Sequence, residues 1–394
     1  MLFDAPKLDA RELDVIGQIE ELKRSLRYAV QTPKRWPGLL RRALFARAIV
    51  ASNSIEGFNV TVEDAIAAVE GDEPRDAANA DWRAVRGYRS AMTYVLQLAE
   101  DIHFQYSTDL LRSLHFMMLE YDLSKHPGRW RNGPIQVVDE ARKETVYRAP
   151  DAELVPGLMT ELVDSLNQPD RSPASMVRAS MGHLNFVMIH PFSDGNGRMA
   201  RCLQSLILAR AGTLAPEFSS IEEYLGRNTR EYYDVLLGVG AGSWNPRRDA
   251  RPWVRFCLTA HFRQATTILR RTREVQQTWD ALEIEVAKAK LPERTILALS
   301  DAASGLRIRN AAYRSVADIS VQVATKDLGL LVKRGLLLAA GDKRGRVYRA
   351  SDYLQEIRSR FREPKRVPDP FARREPATGD GSSRRARRVL RDVE

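Results

Sequence analysis

The sequence has few of the residues that mark secreted or metal-binding proteins. It contains two cysteines in 394 residues, Cys202 and Cys257, and both fall within helical patterns. Two cysteines placed in this way argue against a disulfide framework, and we expect both to be small core residues. The six histidines show no CxxC, HExxH or comparable spacing, so no zinc site is predicted.

Long hydrophobic runs are also missing. The N-terminal stretch MLFDAPKLDARELD is too polar to be a signal peptide. No run approaches the roughly 20 apolar residues that span a bilayer. We therefore expect a cytoplasmic protein with no membrane partner.

Positive charge, in contrast, is in excess. The 61 lysines and arginines outnumber the 51 acidic residues and give a net charge of +10. Such a surplus is compatible with binding to nucleic acid or to phosphorylated small molecules. Part of it lies in the C-terminal tail, at Arg384, Arg385, Arg387 and Arg388. A basic tail is more often a solvated segment than a specific binding site.

Most of the sequence has the periodicity of amphipathic helices. One interruption, GPIQVVDEARKETVYRAP at 133–150, has two β-prone runs around a charged turn and predicts a β-hairpin. Further on, three helical patterns and a glycine-containing hairpin follow the order of a winged helix-turn-helix. The predicted divisions are a helical region at 1–75, a helical core at 76–265, a connecting helix at 266–290, a winged-helix-like domain at 291–353 and a basic disordered tail at 354–394.

The stretch HPFSDGNGRMAR at 190–201 has an unusual concentration of reactive and charged residues. Helical patterns on both sides predict a loop, with Gly-Asn-Gly at the start of the second helix. A helix N-terminus has free N–H groups and a partial positive charge. Gly195 and Gly197 let the backbone curl and approach a ligand closely. Together these features predict an anion nest suited to phosphate.

The side chains around this nest favour a polyphosphate. Arg198 and Arg201 are three residues apart, so they share one helix face. Asp194 can hold Mg²⁺ against phosphate oxygens, and His190 can accept a proton near neutral pH. We expect Phe192 to be the apolar plug of the loop. A capped helix with solvated arginines would explain each residue alone, but not their combination.

This string resembles the signature of the Fic family, HPF-x-[DE]-GNGR-x-x-R, at every defining position. The resemblance extends from about residue 39 to 261 and implies a mainly α fold with a β-hairpin flap. Family members usually transfer AMP from ATP to a hydroxyl of a protein target and release pyrophosphate. The resemblance therefore implies ATP as the substrate and Mg²⁺ as the cofactor.

The roles of individual residues follow from the resemblance by position. It makes His190 the general base on the target hydroxyl and Asp194 the Mg²⁺ ligand. Arg198 and Arg201 would bind the β- and γ-phosphates. The anion hole would be lined by Gly195, Asn196 and Gly197.

The string SNSIEG at 52–57 resembles the inhibitory motif of the family, [ST]-x-x-x-E-[GN]. Ser52 and Glu56 are four residues apart on one helix face, and Gly57 is a natural stop. The resemblance implies that Glu56 pairs with Arg201, displaces the γ-phosphate and spoils the orientation of ATP. The alternative is a routine helix end with an exposed glutamate. Relatives also use this glutamate to remove AMP with water, and the sequence leaves that activity open.

Two further segments acquire roles from the resemblance. The hairpin resembles the flap that holds the target backbone as an added strand, with Val146 and Tyr147 as candidate contacts. In NTREYYDVL, Tyr232 or Tyr233 would border the adenine, and the position after the signature favours Tyr232. The alternatives are an ordinary surface hairpin and helical core packing.

The C-terminal pattern SVQVATKDLGLLVKRGLL is typical of a recognition helix. Its outward residues would be Gln322, Thr325 and Lys326. Its core residues would be Val323, Leu328, Leu331 and Val332. Phosphates could be contacted from the wing by Lys343, Arg344 and Arg346. A protein-interaction module of the same fold is the alternative, because a fold alone does not determine function.

Two hypotheses from different classes follow. The first is an ATP-dependent protein adenylyltransferase, held inactive by its own N-terminal helical region, that modifies a Ser, Thr or Tyr hydroxyl of a protein. The second is a winged-helix DNA-binding regulator whose nucleotide site is a sensor. A Fic enzyme that transfers UMP or a phosphorylated choline also fits. Relatives are often dimers, so a homodimer stays open.

Overall fold

The computed structural model describes residues 1–69, 79–139, 143–169, 174–212, 215–341 and 346–372. Within these ranges the chain is mainly helical and contains two small sheets, which confirms the predicted mainly α class. No helix in the same ranges is long and apolar enough to cross a membrane.

The N-terminal region is helical, as the sequence predicts. Its helices are α1 (Ala10–Val30), α2 (Trp36–Ile55) and α3 (Val62–Val69). Helix α1 begins at a capping box, in which Asp9 Oδ1 accepts from the Glu12 N–H and Glu12 Oε2 accepts from the Asp9 N–H, at 2.9 and 2.8 Å. The box satisfies amide groups that have no partner inside the helix.

The central region is a packed set of helices around α7 and α8. They are α4 (Ala80–Glu100), α5 (Thr108–Leu119), α6 (Val155–Asn167), α7 (Ser175–Ile189), α8 (Asn196–Arg210), α9 (Pro216–Ser219), α10 (Glu222–Arg227) and α11 (Thr229–Gly240). Almost every residue of α7 and α8 is buried. The loop between these two helices therefore has a rigid base.

The expected boundary at residue 265 does not interrupt the backbone. Helix α12 is continuous from Arg251 to Lys288, so the predicted connecting helix at 266–290 is its second half. Pro252 lies in the first turn, where a missing N–H costs nothing, and neither glycine nor proline follows before Lys288. A helix of this length packs against both the central helices and α13.

A three-stranded sheet contains the predicted hairpin. Strands β1 (Gln136–Asp139) and β2 (Glu144–Arg148) are antiparallel, and β3 (Gly242–Ser243) adds to β2 in parallel. The hairpin is confirmed, whereas the third strand was not expected. Because β2 lies between two neighbours, the outer edge of the hairpin belongs to β1.

The C-terminal region has the predicted order of three helices and a hairpin. Its elements are α13 (Thr295–Ala303), α14 (Asn310–Ala317), α15 (Val321–Lys333), β4 (Leu337–Ala340), β5 (Val347–Ala350) and α16 (Asp352–Ser359). Gln322, Thr325 and Lys326 are exposed. The wing residues Lys343 and Arg344 lie outside the described residues, as do the four tail arginines.

The expected disordered tail from residue 354 does not begin there. Residues 352–359 form α16, which buries Leu354 and Ile357 and is capped by the Ser351 hydroxyl. The high arginine content of residues 354–394 suggests a solvated segment. Leu354 and Ile357 are three residues apart, however, and they give α16 an apolar face that packs on α13.

Two hydrophobic cores meet at α2. Ile49 and Ile55 belong to the core of the central helices, whereas Trp36 and Leu40 belong to the core that continues into the C-terminal region. Cys202 and Cys257 are buried free thiols, in agreement with their predicted packing role. Helix α2 is therefore held from both sides.

Glu12 is the charged anchor between α1 and α12. Its carboxylate is fully buried and forms salt bridges with Arg251 and Arg255 at 2.9 and 2.8 Å. We expect Glu12→Ala to lower the free energy of unfolding by about 2 kcal/mol, since it removes one partner of a buried ion pair and half of a capping box. The measurement is urea unfolding followed by circular dichroism.

The matched control is Glu21→Ala in the same helix. Glu21 pairs with Arg24 at the surface, where both side chains are exposed, and such pairs contribute little. An equal loss of stability in the two variants would contradict the anchoring role of Glu12.

Candidate active site

The loop between α7 and α8 owes its shape to two residues with positive φ. His190 ends α7 with φ 53° and Gly195 precedes α8 with φ 76°. A Cβ atom on Gly195 would lie 2.8 Å from Leu119 Cδ1, so only glycine fits without displacing its neighbour. The predicted loop and the predicted start of the second helix are both present.

His115 supports this loop from below, and sequence reasoning missed it. Its ring stacks on Phe192 with centroids 3.6 Å apart. Nδ1 accepts from the Gly128 N–H, so the proton is on Nε2, which donates to Asp194 O at 2.9 Å. Burial lowers the pKa of His115 to about 4. The only sequence signal is a histidine among apolar residues of α5.

Asn196 uses its side chain inside the loop. Its Oδ1 accepts from the Phe192 N–H at 2.9 Å, and its Nδ2 donates to Phe192 O at 2.8 Å. The buried Phe192 is therefore held at its ring and at its backbone, as expected for an apolar plug. What Asn196 can offer to a ligand is its backbone N–H in the first turn of α8.

His190 is oriented for proton transfer. Its Nδ1 lies 3.2 Å from Val187 O. Since a carbonyl only accepts, the proton is on Nδ1 and the lone pair of Nε2 is free. Burial lowers the pKa of His190 to about 4, against the opposing effect of the Val187 carbonyl. The imidazole is therefore neutral at pH 7, the form that a general base requires.

Arg131, a second residue that sequence reasoning missed, ties the hairpin to this histidine. Its guanidinium donates to His190 O and Gly133 O, both at 2.8 Å, and also to Pro150 O. These carbonyls belong to the signature loop and to both ends of the hairpin. The sequence shows no signal for this role because all the acceptors are main-chain atoms.

Arg198 presents an unpaired charge at the start of α8. The side chain is 1% exposed, and its guanidinium lies 5.0 Å from the Phe58 ring centroid. Within the described ranges, its Nε and Nη1 have no hydrogen-bond partner. A buried guanidinium without an anion is costly, and it attracts a negatively charged ligand.

Arg201 is also buried, but it is paired with the SNSIEG segment. Its Nη2 donates to Glu56 Oε1 at 2.7 Å and to Ser52 O at 2.9 Å, and its Nε donates to Ser52 Oγ at 2.7 Å. Burial alone would lower the pKa of Arg201, but the Glu56 carboxylate raises it. The structure thus brings together the residue pair that the family resemblance implies.

The Glu56 carboxylate also lies over the first turn of α8. A Cβ atom built on Gly197 would clash with Glu56 Oε1 and lie 3.2 Å from Arg201 Nη1. The carboxylate therefore occupies the position where an anion would meet the helix N-terminus. This contact requires glycine at 197, independently of any ligand.

A buried acid supports the same segment from behind. Glu222 accepts from the hydroxyls of Ser205 and Tyr88, both at 2.9 Å. Burial raises the pKa of Glu222, and the hydrogen bond from Ser205 and the charge of Arg201 oppose that rise. The acid thus lies near the Arg201 guanidinium, a position that the sequence does not indicate.

A cleft of about 190 Å³ opens beside these groups and is lined by Glu56, His190, Gly197 and both tyrosines of α11. The Tyr232 ring is 1% exposed and its hydroxyl lies 3.0 Å from His183 Nε2. Tyr233 is 41% exposed and donates to Ile55 O at 3.3 Å. Tyr232 thus packs in the core beneath the cleft, and Tyr233 is the more accessible ring. The adenine contact of Tyr232 stays a prediction.

The candidate flap residues lie on the inner strand of the sheet. Tyr147 is 4% exposed, and its hydroxyl donates to Met188 O at 2.8 Å. Val146 is half-buried at a bulge between the Val137–Tyr147 and Val138–Thr145 pairs. Because β3 pairs with β2 at Tyr147, an added strand would meet the outer edge of β1 instead.

Asp194 is the carboxylate at the mouth of the site. Its side chain is 40% exposed, with Oδ2 3.4 Å from Lys125 Nζ. Among the described residues, no group of three or more potential ligands converges on a metal position. One carboxylate beside a phosphate-binding helix end fits Mg²⁺, which often takes its other ligands from phosphates and water.

The comparisons with known proteins agree with this geometry. Residues 105–208 match the model of the Fic/DOC family. The chain carries a Fic/DOC family domain. It is 26% identical to protein adenylyltransferase Fic of Nematostella vectensis over 257 residues, which are 64% of this chain and 55% of that protein. Over 101 residues, 25% of this chain and 17% of the relative, it is 38% identical to protein adenylyltransferase fic-1 of Caenorhabditis briggsae.

Solved structures show the same Fic fold. A Fic family protein from Desulfovibrio desulfuricans superposes with a TM-score of 0.54 at 22% identity, over 88% of this chain and 98% of that chain. Fic-1 from C. elegans gives 0.51 at 23% identity, over 66% and 72%. The chain spans about half the length of the Nematostella relative and less than a fifth of the Caenorhabditis briggsae one.

The burial of His190 predicts its titration. We expect a pKa of about 4 in the folded chain, against about 6.5 in the unfolded chain. The folded value is the lower one, so the stability due to neutral His190 is complete above pH 6.5 and is lost as the pH falls toward 4. NMR of labelled imidazole groups, with and without urea, measures both values and the tautomer. Titration of the folded histidine near 6.5, or a proton on Nε2, would contradict this assignment.

Proposed function

We propose that the protein is an adenylyltransferase that transfers AMP from ATP to a Ser, Thr or Tyr hydroxyl of a protein target. The observation that carries the proposal is the placement of two groups at the N-terminus of α8. A neutral base precedes the helix, and an unpaired buried cation lies in its first turn. His190 supplies the base, and Arg198 supplies the cation. The names of the relatives support nucleotidyl transfer from ATP.

The proposed reaction is an in-line displacement at the α-phosphorus. His190 Nε2 takes the proton of the target hydroxyl, and its oxygen forms a bond to the α-phosphorus. The bond from that phosphorus to the oxygen that bridges to the β-phosphate breaks, and pyrophosphate leaves. Arg198 and the first-turn N–H groups of α8, including those of Asn196 and Gly197, stabilise the phosphate charge. Mg²⁺ held by Asp194 would neutralise phosphate oxygens.

We propose that the target binds along β1. An extended segment can pair with an exposed strand edge through its own N–H and C=O groups. Residues 136–139 form the outer strand of the sheet, and Val137 lines the same cleft as His190. A hydroxyl on an added strand would thus be presented toward the base.

Glu56 is proposed to be an inhibitor of this reaction. Its carboxylate pairs with Arg201 and lies over Gly197, where the γ-phosphate would otherwise bind. ATP must then displace Glu56 or bind with its phosphates out of line, and in-line transfer is sensitive to such misplacement. Removal of bound AMP by water activated at Glu56 is a second activity that this position allows.

The C-terminal module is proposed to contact DNA. Gln322, Thr325 and Lys326 form an exposed polar face on α15, the helix that would enter a major groove. This role is separable from catalysis, since His190→Ala should abolish AMP transfer and leave DNA binding intact. DNA binding that depends on ATP, with no transfer under any condition, would favour the regulator instead.

Replacement of Glu56 tests the proposed activity and its inhibition together. We expect Glu56→Gly to increase labelling of protein by α-labelled ATP and Mg²⁺ at least about ten-fold, because a hydrogen bond between charged groups is lost from the inhibited state. Glu56→Gln should give an intermediate increase, since it keeps a hydrogen bond to Arg201 without the charge. Autoradiography of the protein bands, with and without lysate, measures the transfer.

The control is the double variant Glu56→Gly/His190→Ala, which should show no label. Equal labelling of wild type and Glu56→Gly would remove the inhibitory role. Label that persists in the double variant would contradict the role of His190 as the general base. Absence of label in every variant would contradict the proposal that AMP is the transferred group.

A further inference from the structure

A second cleft lies away from the candidate active site, on another part of α2. It has a volume of about 290 Å³ and is bounded by α2, α12, α13, α16 and the segment that follows α16. None of its lining residues also lines the cleft beside His190. We call it the basic cleft, with Arg47 and Arg358 as its inner cations and Arg362 and Lys365 as its outer ones.

The lining of the basic cleft has an excess of positive charge. Seven of its residues are Arg or Lys and three are Asp or Glu. The carboxylates in and beside it are already paired: Glu223 with Arg227 and Arg271, Glu274 with Arg270, Asp301 with Arg42, and Glu363 with Arg273. Among the described residues, none of these acids forms a salt bridge with the four cations that define the cleft.

The two inner arginines are half-buried and unpaired. Within the described ranges, neither Arg47 nor Arg358 makes a side-chain hydrogen bond or a salt bridge. Burial lowers the pKa of Arg47, and the nearby Arg271 lowers it further. Burial also lowers the pKa of Arg358, with Arg362 as the next contributor. Both effects mean that folding holds positive charges together at a cost.

The nearby acids Glu223 and Glu274 oppose these shifts without reversing them. Both arginines line the same cleft, Arg358 is among the charges that lower the pKa of Arg47, and like charges in a partly desolvated cleft repel. A bound anion would attract both guanidinium groups and so offset their mutual repulsion. Guanidinium groups match phosphate oxygens in geometry and form two parallel hydrogen bonds with them.

The remaining walls are apolar and limit the size of the occupant. Leu39, Leu44, Val275 and Leu306 contribute aliphatic surface to the cleft. Its volume is near the lower end of the roughly 300–1,000 Å³ found for small-molecule sites. Apolar walls around a cationic floor fit a small organic molecule that carries phosphate groups.

We propose that the basic cleft binds a small, multiply charged, phosphate-bearing anion, with Arg47 and Arg358 as its inner contacts. Arg362 and Lys365, both exposed, approach the anion from the rim. The site is distinct from the nucleotide site proposed above, and the inference does not depend on the proposed catalytic activity.

The test is titration calorimetry of the full chain with inorganic tripolyphosphate. The parent protein carries Arg198→Gln, so that the unpaired arginine of the active site does not contribute a second event. We expect this parent to bind one tripolyphosphate. Addition of Arg47→Gln/Arg358→Gln should weaken binding at least about ten-fold, because each arginine supplies charged hydrogen bonds. Tripolyphosphate should also raise the Tm of the parent.

The matched control is Arg24→Gln/Arg230→Gln in the same parent. These exposed arginines lie outside the cleft, and their replacement removes the same net charge. Binding should change by less than about two-fold, since distant surface charges are screened. Arg47→Lys/Arg358→Lys keeps the charge without the planar fork and should weaken binding to an intermediate extent.

Each remaining outcome would overturn the proposal. A parent that binds no tripolyphosphate has no such site. Equal weakening in the cleft variant and the surface control would show that net charge alone attracts the anion. Unchanged binding in the cleft variant would place the anion elsewhere. If the glutamine variant does not fold, the lysine variant decides, and parent-like affinity there would contradict the role assigned to the guanidinium forks.

Discussion

The buried guanidinium of Arg201 is the constraint on which the candidate site between the N-terminal and central helices depends. A positive charge with no access to water is costly unless an anionic or carbonyl partner offsets the loss of hydration. Here Glu56 and Ser52 supply these partners from the end of α2. A phosphate could satisfy the same guanidinium. The fold therefore places one cation between an internal carboxylate and an external anion, and competition between the two follows from electrostatics alone.

The Glu56 carboxylate can compete with an anion for Arg201 because α2 is held in place independently of the Glu56–Arg201 salt bridge. Its residues enter the hydrophobic core of the central helices and also the core shared with the C-terminal region. Loss of the Glu56–Arg201 contact would leave this apolar packing in place. The Glu56 side chain can thus leave Arg201 while α2 stays packed in both cores. Such a local rearrangement leaves the close-packed interior intact.

The sequence predicted the elements whose local chemistry is distinctive. The helical patterns and the glycines at 195 and 197 mark the loop and the start of α8, and the β-prone runs mark the hairpin. The pairing of Glu56 with Arg201 could be expected only from the family resemblance, because the two residues are far apart in the chain. His115 and Arg131 could not be predicted, since their partners are main-chain atoms brought together by the fold. The length of α12 was missed because a domain boundary was expected where the helix does not break.

The candidate active site and the basic cleft differ in how far acids of the chain neutralise their arginines. In the active site, Arg201 is neutralised from within the chain while Arg198 awaits an anion. In the basic cleft the nearby acids form ion pairs with other arginines, and the proposed anion would neutralise Arg47 and Arg358. Both sites use α2 as a wall, through Glu56 at its end and Arg47 nearer its middle. An anion in the cleft would bind α2 more firmly to α12 and α16, and the same helix positions the carboxylate that competes for Arg201.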